Sequence, residues 1–300
     1  MDRRTFLQTA TLSAAAAVST LSLASGQLFQ RMQERRQERQ QERRGVAQPR
    51  AVERKIPIGV QLFSVRNAAQ NDLPGTLEAI ANMGYEGVEF FGNQYYGRSG
   101  AELRKLLDDN GLKCCGTHTG IGELRGDNFP RTAELHLQLG TPFMIVPGTL
   151  NELQNLEGNQ RFVEEFNQIA ERAKPLGLYT GYHAHAPDAR MVDGITAWER
   201  FFDGTVHDVI HQMDTGNFKS GGGDPYAMIE KFAGRSRTVH LSETGQDRPV
   251  IGDGIVEWQR IFDLCETVGG VEWYVVEDAR EPDGFDRIER SIIALRTMGK

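Results

Sequence analysis

Four side chains of the kinds that bind divalent metal ions lie on four consecutive strand-like segments of the chain. They are His183, Asp214, His240 and Glu277. Two imidazoles and two carboxylates give a mixed nitrogen and oxygen ligand set, which suits Mn²⁺, Co²⁺, Zn²⁺ or Fe²⁺ rather than Ca²⁺. The pattern therefore predicts one divalent metal ion, of undetermined identity, with coordination positions left open for substrate oxygens.

Other polar residues near such segments are candidates for substrate chemistry. Glu89 is interpreted as a second base or hydroxyl ligand, or else as an inward residue hydrogen-bonded to backbone. His118 is expected to contact a substrate hydroxyl, the alternative being a hydrogen-bonded core histidine. Arg190 and Lys219 occupy loop positions where they would hold an anionic group of the substrate or, alternatively, remain solvated charges.

The elements that must position these residues are alternating strand and helix segments. Short β-branched or aromatic runs alternate with amphipathic stretches, and the predicted strands begin at Ile56, Glu86, Lys113, Phe143, Leu178, Val209, Arg237 and Glu272. A doubly wound open sheet usually has about five to seven strands and a glycine-rich turn after the first. Eight units without such a turn instead predict an α/β fold, a single-domain (β/α)8 TIM barrel over residues 56–300. The C-terminal strand ends of this fold form its active site, so the polar residues would share one cup.

Block motifs along residues 58–296 resemble the sugar phosphate isomerase/epimerase family of xylose isomerase-like barrels. They include GVQLFSVR from Gly59, MGYEGVEFFG from Met83, GYHAH from Gly181, QMDTGNFKSGGGDP from Gln212 and VHLSE from Val239. That superfamily also holds inosose dehydratases, ketose 3-epimerases and endonuclease IV.

The resemblance implies a metal site with an acidic residue on the fifth strand, Asp on the sixth, His on the seventh and Glu on the eighth. Asp214, His240 and Glu277 match this pattern, whereas His183 stands at the fifth-strand position. The seventh-strand pattern also departs, because Ser242 and Glu243 stand where relatives have Lys-Asp.

These departures bear on the reaction that the resemblance implies, which is metal-dependent isomerisation, epimerisation or elimination through an enediolate. A two-base epimerase of this kind uses two metal-bound glutamates, and this chain offers one, Glu277. His185, Glu89 or His118 would have to supply the second group. An elimination or a 1,2-proton shift needs one base and one acid, and it fits these residues as well. The predicted catalytic residues are Glu277, His185 and Glu89.

The first 55 residues differ from the remainder and predict an export signal followed by a linker. Arg3 and Arg4, then Phe6-Leu7 and an Ala/Ser/Thr/Leu stretch, resemble a twin-arginine signal peptide. We predict a signal peptide over 1–26, a Gln/Glu/Arg-rich linker over 27–55 and a periplasmic location. The alternative is a basic N-terminus on a cytosolic protein. No run of about 18 apolar residues follows the signal, so no membrane span is expected in the mature chain.

The net charge of the predicted barrel limits the classes of molecule that it is expected to bind. Residues 1–55 carry eleven Lys/Arg and five Asp/Glu, which leaves 23 against 36, a net charge of −13, for residues 56–300. An acidic body repels phosphate backbones, so binding of nucleic acid and an endonuclease IV-like activity are not expected. Export also argues against phosphorylated substrates, and we expect a non-phosphorylated sugar, cyclitol or keto-glycoside. The alternative is a non-catalytic exported carbohydrate-binding barrel. The sequence leaves open whether the chain forms a homo-oligomer.

Overall fold

A computed structural model describes residues 56–92, 95–148, 151–247, 249–281 and 283–300. The predicted signal peptide and linker lie outside the described residues. Within the described part of the chain, no helix is both long enough and apolar enough to cross a membrane.

Parallel strands form a nearly closed barrel, as the alternating segments predict. In chain order they are β1 (Ile58–Gln61), β2 (Gly87–Phe91), β3 (Lys113–His118), β4 (Phe143–Val146), β5 (Tyr179–His183), β6 (Ile210–Gln212), β7 (Thr238–Leu241) and β8 (Trp273–Val276). Strands β1 to β6 pair in chain order, and β8 pairs with both β1 and β7. The gap between β6 and β7 is closed by a parallel bridge between Asp214 and His240. The barrel is therefore closed by two of the predicted metal ligands.

The α-helices lie between the strands in sequence and pack their apolar faces against the barrel. They are α1 (Arg66–Asn71), α2 (Leu73–Met83), α3 (Gly100–Asp109), α4 (Asn128–Leu139), α5 (Leu156–Ala173), α6 (Ala197–Gly204), α7 (Thr215–Ser220), α8 (Pro225–Lys231), α9 (Trp258–Leu264) and α10 (Phe285–Thr297). A two-stranded hairpin, Met191–Val192 with Ile195–Thr196, precedes α6.

Two glycines show how the sequence ends its helices. Gly84 follows α2 with φ of 91°, and Gly140 follows α4 with φ of 75°. A positive φ strains any residue that carries a Cβ, so glycine is favoured at both positions. Each turn directs the chain back towards the next strand of the barrel.

The core has an apolar outer layer and a polar centre. Large side chains such as Trp198, Phe166 and Phe201 are fully buried between helices and strands. Cys114, Cys115 and Cys265 are buried and free, as a chain with too few cysteines for a disulfide framework predicts. Inside the barrel the fully buried residues include polar ones, namely Gln61, Glu89, Gln212, Asp214 and His240. Since a buried polar group without a partner costs about 1–3 kcal/mol, these groups must bond to each other or to a ligand.

Two strands and two helices differ from those predicted from the sequence. The first strand was predicted to reach Val65, but β1 ends at Gln61, whose side chain accepts a hydrogen bond from Phe63 N and begins a 3₁₀ turn. The sixth was predicted to include Asp214, but β6 ends at Gln212 and Asp214 caps α7 by accepting from Asn217 N. Helices α1 and α7 were not predicted, because six residues are too few to show apolar periodicity.

A buried histidine on α4 makes the stability of the barrel depend on pH. His136 Nδ1 donates to Thr132 O, and its Nε2 accepts from Thr117 Oγ1 at 2.6 Å. Burial lowers the pKa of His136 to about 4. In the unfolded chain a histidine has a pKa of about 6.5. Between that pH and about 4, the unfolded state binds more protons than the folded state, so the free energy of unfolding falls as the pH falls.

We therefore expect His136→Gln to reduce the stability lost between about pH 7.5 and pH 5 by about 2 kcal/mol. The measurement is the free energy of unfolding in urea at the two pH values. His207→Gln, which replaces an exposed histidine, is the control. Between the two pH values its free energy of unfolding should fall by as much as that of the wild type. An unchanged pH dependence in His136→Gln would contradict the prediction.

Candidate metal centre and active site

The four predicted metal ligands meet at the C-terminal ends of β5 to β8. One ligand atom from each of His183, Asp214, His240 and Glu277 lies within 4.8 Å of the others. Glu277 Oε2 is 2.9 Å from His240 Nδ1 and 3.5 Å from His183 Nε2. Ligand atoms bonded to one ion at about 2.0–2.2 Å lie roughly 3–4.4 Å apart. The cluster therefore needs only small side-chain adjustments to hold a single ion.

Asp214 supplies the observation that tests whether a cation fits. Its Oδ1 accepts from Asn217 N at 2.7 Å and from the hydroxyl of Ser242. Its Oδ2 is buried and has no hydrogen-bond partner among the described residues. Burial, and then the charge of Glu277, raises the pKa of Asp214 to about 7. A buried carboxylate oxygen that lacks a partner and lies beside a second carboxylate is stabilised by a cation, so this donor set fits a divalent metal ion.

His240 lies between two carboxylates. Its Nε2 is 2.6 Å from Glu89 Oε2, and its Nδ1 contacts Glu277. Burial on its own lowers the pKa of a histidine, but here the two carboxylates outweigh it and raise the pKa of His240 to about 10. Burial would likewise raise the pKa of Glu277, and the hydrogen bond and charge of His240 reverse that effect and lower it.

Glu89 is fully enclosed inside the barrel and has no free oxygen. Its Oε1 accepts from Gln212 Nε2 at 2.9 Å, and its Oε2 accepts from Gln61 Nε2 at 2.8 Å. The same Oε2 contacts His240 Nε2 and, at 3.1 Å, His118 Nε2. Burial tends to raise the pKa of this carboxyl, but the two histidines outweigh burial and lower the pKa to about 2. These contacts orient imidazoles, and they are ill suited to the proton transfer expected of Glu89 from the sequence.

His118 and His185 flank the four ligands. The ring of His118 lies 4.6 Å from that of His183, and the ring of His185 lies 4.7 Å from His183 on another side. His185 Nδ1 is buried without a hydrogen-bond partner among the described residues. Burial lowers the pKa of His185. A neutral imidazole with an available nitrogen therefore adjoins the candidate metal site.

A second group of ligand atoms, from His118, His183 and His240, is also close enough to hold an ion. However, the Nε2 atoms of His118 and His240 already contact Glu89, and His118 Nε2 is 2.9 Å from Gln212 Oε1. The group that contains Asp214 brings an unpartnered oxygen instead. We therefore favour the four-residue site.

The two predicted anion-binding residues lie apart from these groups. Arg190 is exposed on the loop after β5. Lys219 lies on α7, where its ammonium is 5.1 Å from the centre of the Tyr226 ring. Their roles in substrate binding stay predictions.

A pocket of about 220 Å³ lies beside the Asp214 cap of α7. It is lined by Gly216, Asn217, Ser220, Glu243, Thr244, Gly245 and Arg280. Arg280 donates to the backbone oxygen of Glu243 at 2.9 Å, and its Nε is 3.4 Å from Asp278 Oδ1. The carboxylate of Glu243 accepts from three backbone N–H groups of the 244–256 loop and from Trp258 Nε1. This buried anchor keeps the loop in place along one wall of the pocket.

Three polar residues of the site were not predicted from the sequence as part of it: Gln61, Gln212 and Ser242. Gln212 precedes Asp214 by two residues, and residues two apart share one face of a strand. A buried-type strand position occupied by glutamine, two residues before a candidate ligand, was the available signal. Ser242 was noted only as a departure from the family pattern, yet its hydroxyl binds Asp214.

Comparison with known proteins matches residues 77–298 to the family of xylose isomerase-like TIM barrels. The 3-dehydroshikimate dehydratase of Pseudomonas aeruginosa is 27% identical over 224 residues, which cover 67% of this chain and 32% of that protein. The chain thus spans about a third of the length of that relative. The inosose dehydratase of Erwinia tasmaniensis is 28% identical over 271 residues, which cover 76% of this chain and 89% of that protein.

Solved structures show the same fold. A sugar phosphate isomerase/epimerase from Parabacteroides distasonis superposes with a TM-score of 0.68 at 24% identity and covers 82% of this chain and 96% of its own. The IOLI protein, described with a bound zinc atom, superposes with a TM-score of 0.61 at 15% identity and covers 81% of this chain and 98% of its own.

Proposed function

Because the chain belongs to the family of xylose isomerase-like TIM barrels, we propose that it is a divalent-metal-dependent enzyme acting on a ketone of a sugar or cyclitol. The reaction begins with loss of the proton on the carbon next to that ketone. The convergence of His183, Asp214, His240 and Glu277 around the unpartnered Asp214 Oδ2 carries the proposal. Dehydration, epimerisation and isomerisation of polyhydroxy ketones all begin with that proton, and relatives bear the names of all three kinds of enzyme.

The residues divide into those that hold the metal and those that move protons. His183, Asp214, His240 and Glu277 would hold one ion, which when bound supplies Lewis-acid polarisation of the substrate carbonyl. Glu277 is 11% exposed, whereas the other three are at most 1% exposed, so Glu277 faces the open side of the cluster. His185, partly buried and neutral, is the second proton-transfer group. Glu89, which we now regard as a positioning residue, takes no part in proton transfer.

This division favours elimination over two-base epimerisation. Glu277 is the single glutamate among the four ligands. Removal of water needs a group that takes the proton from carbon and a proton for the departing hydroxyl. The carboxylate of Glu277 can take the first proton, and neutral His185 can pass a proton from Glu277 to the hydroxyl, which leaves as water. We therefore propose a lyase, with epimerisation as the alternative outcome of the same first step.

We propose that the substrate extends from the four ligands into the adjacent pocket, whose lining residues, none of which is a ligand, suit a small molecule without phosphate. The pocket volume of about 220 Å³ is below the roughly 300–1,000 Å³ of sites for larger ligands. Arg280 is the cationic side chain among its lining residues, and Arg280 is already bound to Asp278 and to backbone oxygens. Asn217, Ser220 and Thr244 add amide and hydroxyl groups suited to substrate hydroxyls. A non-phosphorylated sugar, cyclitol or keto-glycoside agrees with this lining.

We also propose that the protein is exported to the periplasm by its twin-arginine signal. The support is the Arg3-Arg4 pair and the stretch that follows it. Replacing both arginines by lysine should leave the protein in the cytoplasmic fraction, and recovery of that variant in the periplasmic fraction would contradict export by this route.

Deuterium exchange tests the proposed first step directly. The purified protein, loaded in turn with Mn²⁺, Co²⁺, Zn²⁺ or Fe²⁺, would be incubated in D₂O with inosose, 3-dehydroshikimate and free ketohexoses. We expect metal-dependent deuterium incorporation next to the ketone of one substrate class, together with the ultraviolet absorbance of a conjugated product if water is lost. Saturable sugar binding without exchange under any metal would overturn the enzyme proposal in favour of a carbohydrate-binding barrel.

A further inference from the structure

A hydrogen-bond relay inside the barrel connects Glu89 to two histidines, His118 and His183, through Gln212. The amide nitrogen of Gln212 donates to Glu89 Oε1 and to Thr238 Oγ1, both at 2.9 Å. The amide oxygen of Gln212 lies 2.9 Å from His118 Nε2 and 3.0 Å from His183 Nδ1. Gln212 is fully buried, so its hydrogen-bonding groups are satisfied by protein alone.

The chemistry of Glu89 determines which end of Gln212 faces the histidines. A carboxylate can only accept hydrogen bonds, so the NH₂ group of Gln212 must point towards it. The amide oxygen must then point towards the two imidazoles, and it too can only accept. His183 Nδ1 and His118 Nε2 must therefore carry protons, because they are the donors to that oxygen.

These protons leave a defined nitrogen for the metal. His183 is protonated at Nδ1, so the lone pair is on Nε2, the atom that lies 3.5 Å from Glu277 Oε2. His240 donates directly to Glu89 through Nε2, so its Nδ1 is the nitrogen that faces Glu277. Both presented nitrogens thus point into the four-residue cluster.

We propose that Glu89 and Gln212 are positioning residues that set the tautomer of His183 and the orientation of the His240 ring for metal binding. The metal part of this inference rests on the proposed function, whereas the tautomers are a property of the protein alone. Residues that hydrogen-bond the second ring nitrogen of a metal-binding histidine commonly contribute about 10–100-fold to metal affinity.

The tautomers can be measured with ¹⁵N-labelled histidine and long-range ¹H–¹⁵N correlation spectra of the metal-free protein. We expect His183 to be protonated at Nδ1, the opposite of the preference of an unconstrained histidine side chain. In Gln212→Leu the acceptor is lost, so His183 should shift towards the Nε2-protonated form. Metal affinity, measured by competition with a chromogenic chelator, should fall about 10–100-fold.

Asn159→Leu is the matched control. Asn159 is also a buried amide, but its side chain donates to the backbone oxygens of Leu153 and Ala197 and contacts neither Glu89 nor a histidine. We expect this variant to keep the wild-type His183 tautomer and a metal affinity within about threefold of wild type, against the about 10–100-fold loss in Gln212→Leu.

Nε2 protonation of His183 in the wild type would overturn the inference, even if Gln212→Leu failed to fold. Equal loss of metal affinity in Gln212→Leu and Asn159→Leu would overturn it as well, because a general packing defect would then explain both. If no variant and no wild type bound metal, the proposed function would fail, and the tautomer spectra would still decide this inference.

Discussion

Replacing Asp214 by asparagine is expected to weaken metal binding by more than about 100-fold. That loss exceeds the about 10–100-fold loss expected when a residue that hydrogen-bonds a metal ligand is replaced. The same substitution is expected to stabilise the metal-free protein. The variant keeps an oxygen that accepts from Asn217 N, so the cap of α7 remains. It removes the negative charge of a buried carboxylate whose Oδ2 has no partner among the described residues. Loss of function and gain of stability would then share one cause.

The sign of the stability change follows from the raised pKa of Asp214. An aspartate of the unfolded chain titrates near about 3.9, and burial followed by the Glu277 charge raises the pKa in the fold to about 7. The folded state therefore resists ionisation, and this cost grows as the pH rises from about 4 to 7 and is fully present above it. Without metal, Asp214→Asn should therefore have a higher free energy of unfolding than the wild type at about pH 8, and the difference should shrink as the pH falls towards about 4.

Asp224→Asn is the control for this experiment. Asp224 caps α8 as Asp214 caps α7, accepting from Ala227 N, and it lies outside the metal-ligand groups found among the described residues. We expect it to leave metal content and unfolding at wild-type values. Full metal occupancy in Asp214→Asn, measured by elemental analysis after dialysis, would contradict the four-residue site.

Glu277→Gln should lower turnover by at least about 10³-fold while the substrate still binds. The amide keeps the size and one acceptor oxygen of the side chain, but it cannot take up a proton. It also removes the negative charge that faces His240 Nδ1 at 2.9 Å. Measured at a metal concentration that saturates the variant, the loss should appear in kcat, whereas the dissociation constant of the substrate, measured by calorimetry, should change less than about threefold.

The matched control lies at the other end of the same strand. Glu272 precedes β8, is largely exposed and pairs with Arg237 at 2.5 Å. Glu272→Gln should retain wild-type kcat, because surface ion pairs are worth only about 0–1 kcal/mol and this one is far along the strand from the cluster. If Glu277→Gln retained turnover, the proton-transfer role of Glu277 would have to be abandoned.

Among the residues predicted from the sequence, those at strand ends came together, whereas the binding roles of Arg190 and Lys219 stay predictions. His183 and His240 lie on strands of a parallel barrel, Asp214 and Glu277 follow strands, and that fold places such strand ends in one cup. Arg190 and Lys219 were chosen for charge and loop position, which do not determine where a long side chain points. Lys219 lies instead over the ring of Tyr226.

The sequence by itself determined the barrel and the types and order of its candidate ligands, because strand and helix periodicity and helix-ending glycines are local properties of the chain. Only the tertiary structure decided which carboxylate has both oxygens bound to protein groups, Glu89, and which faces the open side of the cluster, Glu277. Glu89 receives its hydrogen bonds from β1, β3, β6 and β7, residues 28 to 151 positions away. A carboxylate can take up a proton readily only if its oxygens do not already accept hydrogen bonds from the protein. Those hydrogen bonds come from residues that only the closed barrel brings next to it.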